Sequence, residues 1–343
     1  MDPASAANES LPTGAWATVS AIDSASLSNL PLEPYFHSDL PRLQRVTVPA
    51  FSFVITNQQG RCVLFDLGLR KDWAELSPTA VAEIHNDKLG IDCQQDVRDI
   101  LEAQNVSIDN VEAIILSHHH FDHIGDPSRF PSSTELVVGP GVSEALMPGY
   151  PENESSEILT SDYSGRTVRE IDFGSAKLSI LGVPALDYFE DGSLYLLSTP
   201  GHAVGHMAAL VRTTSSPDSF VLLGGDACHH CGELRPSPGR PLPTPVPSCI
   251  AHFLDGHSND RTQPFFQIQR DIRYAAYCHN TDEAEQTIMR LQRFDALDNV
   301  LVIFAHDASI KGIVEEFPAT LNDWLVKGWG QGCRWRFLRD FEG

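Results

Sequence analysis

Residues Ile115 to Asp126 read ILSHHHFDHIGD. The stretch holds four histidines and two aspartates in twelve residues and continues the apolar run VEAIIL that begins at Val111. A short apolar run of this kind reads as a buried strand. The histidines therefore fall in the loop at its C-terminal end. A bound metal accounts for such a cluster, and so does a solvated loop with no task.

Three other segments favour the metal. They are LLSTPGHAVGH with His202, FVLLGGDACHH with Asp226 and LVIFAHD with His306. Each places its histidine or aspartate just after an apolar strand. Strand ends on one edge of a sheet converge, and functional side chains concentrate on the loops there. With His118, His120, Asp122 and His123 the set comes to seven donors, five imidazoles and two carboxylates. Such donors suit zinc or another borderline first-row ion. His118 and His120 are two apart, so in extended chain they point the same way. Asp122 and His123 follow where the chain turns and can face a second ion.

The motifs HHHFDH, TPGHAVGH, GGD and FAHD, with FDLG at Phe65–Gly68, resemble in order those of the metallo-β-lactamase fold superfamily. The likeness covers roughly residues 45 to 310. It implies an α+β fold, an αββα sandwich of two packed mixed β-sheets with helices on the outer faces. It also implies a dinuclear site on one edge of the sheets. Residue by residue, His118, His120 and His202 would hold one metal. Asp122, His123 and His306 would hold the other, and Asp226 would bridge them. The expected cofactor is two Zn2+ per chain, with Mn2+ or Fe2+ as alternatives. Asp66 would orient a ligand or its loop. His119 falls at a variable position of the motif, and His206 is expected to be structural or to support a ligand.

Two ions sharing a water lower its pKa toward neutrality, so a bridging hydroxide would attack a carbonyl. Asp122 is the candidate to pass a proton to the leaving group. The resemblance points to lactonases, lactamases and thioester hydrolases. True β-lactamases usually carry cysteine where this chain has Asp226. Bacterial quorum-quenching lactonases carry tyrosine three residues after that aspartate, near the substrate carbonyl, and here the place is taken by His229. His229 is therefore a candidate to bind the carbonyl or the leaving group. The segment from GDACHH to GELRPS resembles fungal members more closely. The expected activity is opening of a lactone or lactam, with thioester hydrolysis or a mononuclear iron dioxygenase as alternatives.

The rest of the chain sets limits. Acidic residues outnumber basic ones by 46 to 24 among 343, a formal net charge of -22. Such a field repels polyanions, so nucleic acid and anionic membranes are not expected partners. A small-molecule substrate with an apolar or aromatic part is. The N-terminus lacks the basic and apolar regions of a secretory signal, and no apolar run reaches the ~20 residues of a membrane span. The seven cysteines are scattered and odd in number. Reduced thiols and a cytoplasmic location are expected. Cys228 and Cys231 have C-x-x-C spacing, but no second pair completes a zinc knuckle. Residues 1–30 are expected to form a loosely ordered arm, and 31–343 one catalytic domain with a proline-rich insertion at about 230–275. Aromatics between Asp226 and His306, namely Phe253, Phe265, Phe266, Tyr274 and Tyr277, are candidates to shape a pocket. Helices are expected over DCQQDVRDILEAQNV, after Gly141, over NTDEAEQTIMRLQRFDAL with an Asn280 cap, and over FPATLNDWLVKG.

Overall fold

Apolar runs without alternation mark strands buried on both faces, and the two sheets bear this out. The computed structural model of the chain describes residues 10–37, 44–245 and 260–341. The strands of the first half are β1 (Ala17–Pro31), β2 (Phe36–His37), β3 (Arg45–Asn57), β4 (Cys62–Phe65), β5 (Gly90–Asp92), β6 (Val111–Ile115), β7 (Glu135–Val138) and β8 (Val168–Glu170). Without β2 they form one sheet, ordered β5-β1-β3-β4-β6-β7-β8. The second half supplies β9 (Leu178–Ile180), β10 (Val183–Asp187), β11 (Leu194–Ser198), β12 (Met207–Ser215), β13 (Asp218–Leu223), β14 (Gln267–Ile268) and β15 (Val300–Ile303). The second sheet runs β15-β13-β12-β11-β10-β9, and β14 pairs with β2. Both large sheets are mixed. In the first, β1, β3 and β4 pair antiparallel and β4, β6, β7 and β8 pair parallel. In the second, only the β13–β15 pair is parallel.

The helices are α1 (Pro78–Asp87), α2 (Val97–Ala103), α3 (Phe121–Ile124), α4 (Val142–Leu146), α5 (Thr160–Tyr163), α6 (Cys231–Leu234), α7 (Thr281–Asp295) and α8 (Trp329–Cys333). Side chains alternate across each strand. Phe51, Phe53, Ile55, Val63, Phe65 and Ile115 meet Leu194, Leu196, Ala209, Val221 and Ile303 in the core between the sheets. The alternate residues Leu64, Ile114 and Leu136 pack outward on Val97 and Leu101 of α2. On the other side Ala208, Leu210, Leu222 and Val302 pack on Ile288, Leu291 and Phe294 of α7. This is the expected αββα sandwich.

The structure corrects two expectations and adds a helix. The N-terminal arm does not hold beyond its first residues, because Ala17–Pro31 is a fifteen-residue strand paired with β3 along most of its length. Its small residues give no apolar signal, yet Ala17, Ala21 and Ser20 are buried. Residues 1–9 lie outside the described residues. FPATLNDWLVKG forms turns instead of a helix. There the backbone follows β1, with Phe317 N–H donating to Ala21 O and Leu321 N–H to Val19 O. The Asn322 amide bonds Ala17 O and Thr213 O, joining both sheets, while its oxygen accepts from Val19 N–H. These tertiary bonds replace the local ladder of a helix. Helix α1 was not anticipated, although Ser77 caps it and Pro78 opens it, a recognisable start signal. In the proline-rich segment, 246–259 lie outside the described residues, and from Arg235 to Pro245 only a two-residue bridge forms.

Candidate metal centre

Strand direction gathers the site. β4 and β6 run parallel, so the loops after them, with Asp66 and with His118 to His123, leave at one edge. β13 and β15 are parallel, and β11 shares their direction through antiparallel β12. Asp226, His306 and His202 therefore emerge together. Backbone bonds lock the two edges: Met207 N–H donates to Ser117 O at 2.8 Å and Phe51 N–H to Ala305 O at 3.0 Å.

The seven expected donors come together, and all are buried or nearly so. His202 Nε2 lies 3.2 Å from His118 Nε2 and 3.1 Å from His120 Nδ1. In the other half, His306 Nε2 lies 3.3 Å from Asp122 Oδ2. Asp226 stands between the halves. Its Oδ1 is 3.1 Å from His123 Nε2, and its Oδ2 is 3.2 Å from His306 Nε2 and 3.8 Å from His202 Nε2. A tetrahedral ion with bonds of ~2.0 Å holds its ligand atoms ~3.3 Å apart. The His202 spacings in one half and the His306–Asp122 spacing in the other are close to that edge length, while His123 Nε2 to Asp122 Oδ1, at 3.8 Å, is longer.

The surroundings aim the lone pairs. His306 Nδ1 donates to Pro49 O at 2.7 Å, and His123 Nδ1 to Asp66 Oδ2 at 2.9 Å. Ser117 Oγ donates to Asp66 Oδ2, so it is left to accept from His118 Nδ1 at 3.0 Å. In all three rings Nδ1 is committed to these partners, so Nε2 is the atom turned toward the centre. Buried His123 Nε2 and Asp226 Oδ1 face one another without a hydrogen bond. Buried polar atoms seldom go without a partner, and a cation satisfies both. The donor set fits a pair of divalent ions.

The two halves differ in charge. Burial holds His118, His120 and His202 down, His120 to about 3, and neighbouring imidazoles add to the effect. Burial also opposes charge on His123 and His306, but Asp226 and Asp122 outweigh it, lifting His306 to about 10. Burial acts to raise Asp226, yet His123 and His306 hold it well below the carboxylate range. The carboxylate half thus demands positive charge, and the three-histidine half offers neutral nitrogens.

Outside the seven, His119 pairs with Glu157 at 2.9 Å. Both nitrogens of His206 are engaged, one with Thr199 O and the other accepting from Asp226 N–H. His206 thus steadies the bridging residue. His229 Nε2 lies 3.5 Å from Asp226 Oδ2 and lacks a hydrogen bond. Cys228 and Cys231 are buried, and burial pushes both thiols up.

A cavity of about 610 Å³ opens on the centre. His120, Asp122, His202, Asp226, His229 and His306 form its floor, and α1 forms a wall with Pro78, Ala82, Glu83 and Asp87. Tyr35, Ala276 and Tyr277 face it from elsewhere in the chain. Of the aromatics expected to shape a pocket, Tyr277 does so, whereas Phe265 and Phe266 are buried in the core beside α7. Phe253 lies outside the described residues. Tyr35 and the α1 wall carry no motif. Ser77-Pro78 was the one available signal for the wall.

A family profile for the metallo-beta-lactamase superfamily matches residues 45–306. Gamma-lactamase FDB1 of Fusarium pseudograminearum is 41% identical over 339 residues, covering 93% of this chain and 81% of its own length. A Penicillium roqueforti protein named cytochrome P450 monooxygenase mpaDE is 42% identical over 338 residues, 96% of this chain. The chain spans 38% of that relative's length. Among solved structures, a quorum-quenching N-acyl homoserine lactone lactonase superposes with a TM-score of 0.58 at 17% identity, covering 90% of this chain and all of the other. At that identity the likeness concerns the fold alone.

Proposed function

The chain belongs to the metallo-β-lactamase superfamily, and from that premise we propose that it is a dinuclear zinc hydrolase that opens a lactone or a lactam. One observation carries the reading: two three-residue donor sets share Asp226 and face a cavity sized for a small molecule. Two divalent ions, when bound, would supply a hydroxide nucleophile at neutral pH and polarise the carbonyl. His118, His120 and His202 would hold one, Asp122, His123 and His306 the other, and Asp226 both.

The remaining chemistry belongs to side chains. Asp122 both reaches His306 and lines the cavity, so its carboxylate is placed to carry a proton to the leaving oxygen or nitrogen. Burial lowers His229 to about 4, and a neutral imidazole has one ring N–H with which to hydrogen-bond the substrate. Leu27, Leu30, Leu89 and Phe121 give the cavity an apolar side suited to an acyl or aromatic substituent. Among the described lining residues there is no lysine or arginine, which weighs against a phosphate-bearing carrier thioester. The fungal gamma-lactamase relative supports the amide branch.

The test is a hydrolysis panel of neutral lactones, lactams and thioesters on zinc-loaded protein, with elemental analysis of protein purified gently. We expect close to two ions per chain and turnover of a lactone or lactam bearing an apolar group. One iron per chain, or turnover of thioesters alone, would overturn the reading.

A further inference from the structure

We propose that Tyr35 is a catalytic residue, its phenol donating a hydrogen bond to the ester or amide group under attack. The proposal rests on the hydrolase reading above. Tyr35 lies in the turn between β1 and β2, far from every metal-binding motif in the sequence. Its backbone is held on both sides: its N–H donates to Leu32 O at 3.1 Å, and its carbonyl accepts from Gln269 N–H at 3.0 Å. A site group on so fixed a turn keeps its position without a lid having to close.

The side chain faces the cavity. Its ring centroid is 4.2 Å from that of His229 and 5.5 Å from that of Tyr277. His229 in turn lies 3.5 Å from the Asp226 carboxylate. Tyr35 is therefore one side chain removed from the residue that joins the two donor sets. Two phenols line the cavity, and they are not equivalent. The Tyr277 hydroxyl donates to both oxygens of Asp87, at 2.9 and 3.0 Å. The Tyr35 hydroxyl makes no hydrogen bond with any described residue, so it is the one left for a ligand. Burial keeps its proton on, which leaves the phenol a hydrogen-bond donor.

The chemistry balances without moving that proton. The nucleophile's oxygen adds to the carbonyl carbon, and the carbonyl electron pair moves to its oxygen. That pair returns as the ring C–O or C–N bond breaks, and the leaving atom takes the proton that the nucleophile brought, relayed by the Asp122 carboxylate. Throughout, the Tyr35 O–H stays intact and stabilises developing negative charge.

Tyr35→Phe keeps the ring on His229 and removes only the hydroxyl. In zinc-loaded protein the variant should retain its metal content and melting temperature. Its kcat should fall about 10²–10³-fold with little change in KM. Loss of metal, or a kcat within about twofold of the parent, overturns the proposal. A second readout needs no turnover. Benzohydroxamate, a chelating mimic of a carbonyl substrate, should bind the zinc-loaded parent about 5–10-fold more tightly than the variant by calorimetry, the worth of one hydrogen bond. Equal binding overturns the role of Tyr35. A parent that binds the hydroxamate but hydrolyses nothing in the panel overturns the hydrolase reading instead.

Discussion

At the scale of single residues, the centre depends on where charge and lone pairs are fixed. Asp226 reaches both donor sets, so Asp226→Asn keeps the shape but removes the shared negative charge. We expect the variant to fold, to lose metal to a weak chelator, and to lose most hydrolysis. Full metal content with full turnover would show that Asp226 is not the bridge. His229 is a different case. It lies beside Asp226 but outside both donor sets as assigned, and its imidazole is neutral. His229→Ala should lower turnover roughly 10²–10⁴-fold with unchanged bound metal. Loss of metal on that substitution would instead make His229 an eighth ligand, a contact that its place near His202 and Asp226 permits.

At the scale of elements, the loop carrying His202 is wedged against the start of α7. Gly201 has φ +129°, and a Cβ there would come within 2.1 Å of Ala284 N. Gly201→Ala must push the helix or the loop away, costing about 2–3 kcal/mol in a urea melt. Asn280→Ala, which removes only the α7 cap, should cost about 1 kcal/mol. A smaller loss for Gly201→Ala than for Asn280→Ala would mean that the loop moves freely. Helix α6 carries a pH dependence. Glu233, within α6, is buried and accepts from His229 N–H at 2.7 Å and His230 N–H at 3.1 Å. Burial nonetheless lifts its carboxyl to about 8. Between the unfolded value near 4.5 and that value the folded chain keeps a proton that the unfolded chain has lost. Folding stability from this group is thus full at acid pH and declines as pH rises through the window. Glu233→Gln cannot ionise, so its stability relative to the parent should improve from pH 5 to pH 8. Parallel pH profiles in denaturant melts would count against this.

For the whole molecule, the donors come from both sheets. His118 to His123 follow β6 of the first, while His202, Asp226 and His306 follow strands of the second. Bound ions would therefore clamp the two layers together at one edge. Stripping metal should lower the melting temperature, and free zinc at 100 to 1,000 times its Kd should restore about 3–4 kcal/mol, roughly 4–6 °C for a chain of 343 residues. Asp226→Asn should reduce this zinc-dependent shift. A melting temperature indifferent to chelation would place the ions outside the folding equilibrium. The described residues include no helix long and apolar enough to cross a membrane.

What the sequence determined by itself was the chemistry of the site and the layers beneath it. Each proposed ligand follows a strand end, so short motifs name all seven candidates, and unbroken apolar runs such as VEAII and FVLL mark strands buried on both faces. The tertiary structure decided the rest. β1 draws seven of its fifteen residues from alanine and serine, which pack closely between layers and blur its apolar period. The 317–328 segment has helical spacing, but bonds to β1 and β12 outcompete a local helix. The cavity wall joins residues with no sequence relation, as where Tyr277 bonds Asp87 across 190 positions. Ligand chemistry is local and leaves its mark in neighbouring residues, whereas the shape that meets a substrate arises from contacts between segments far apart in the chain.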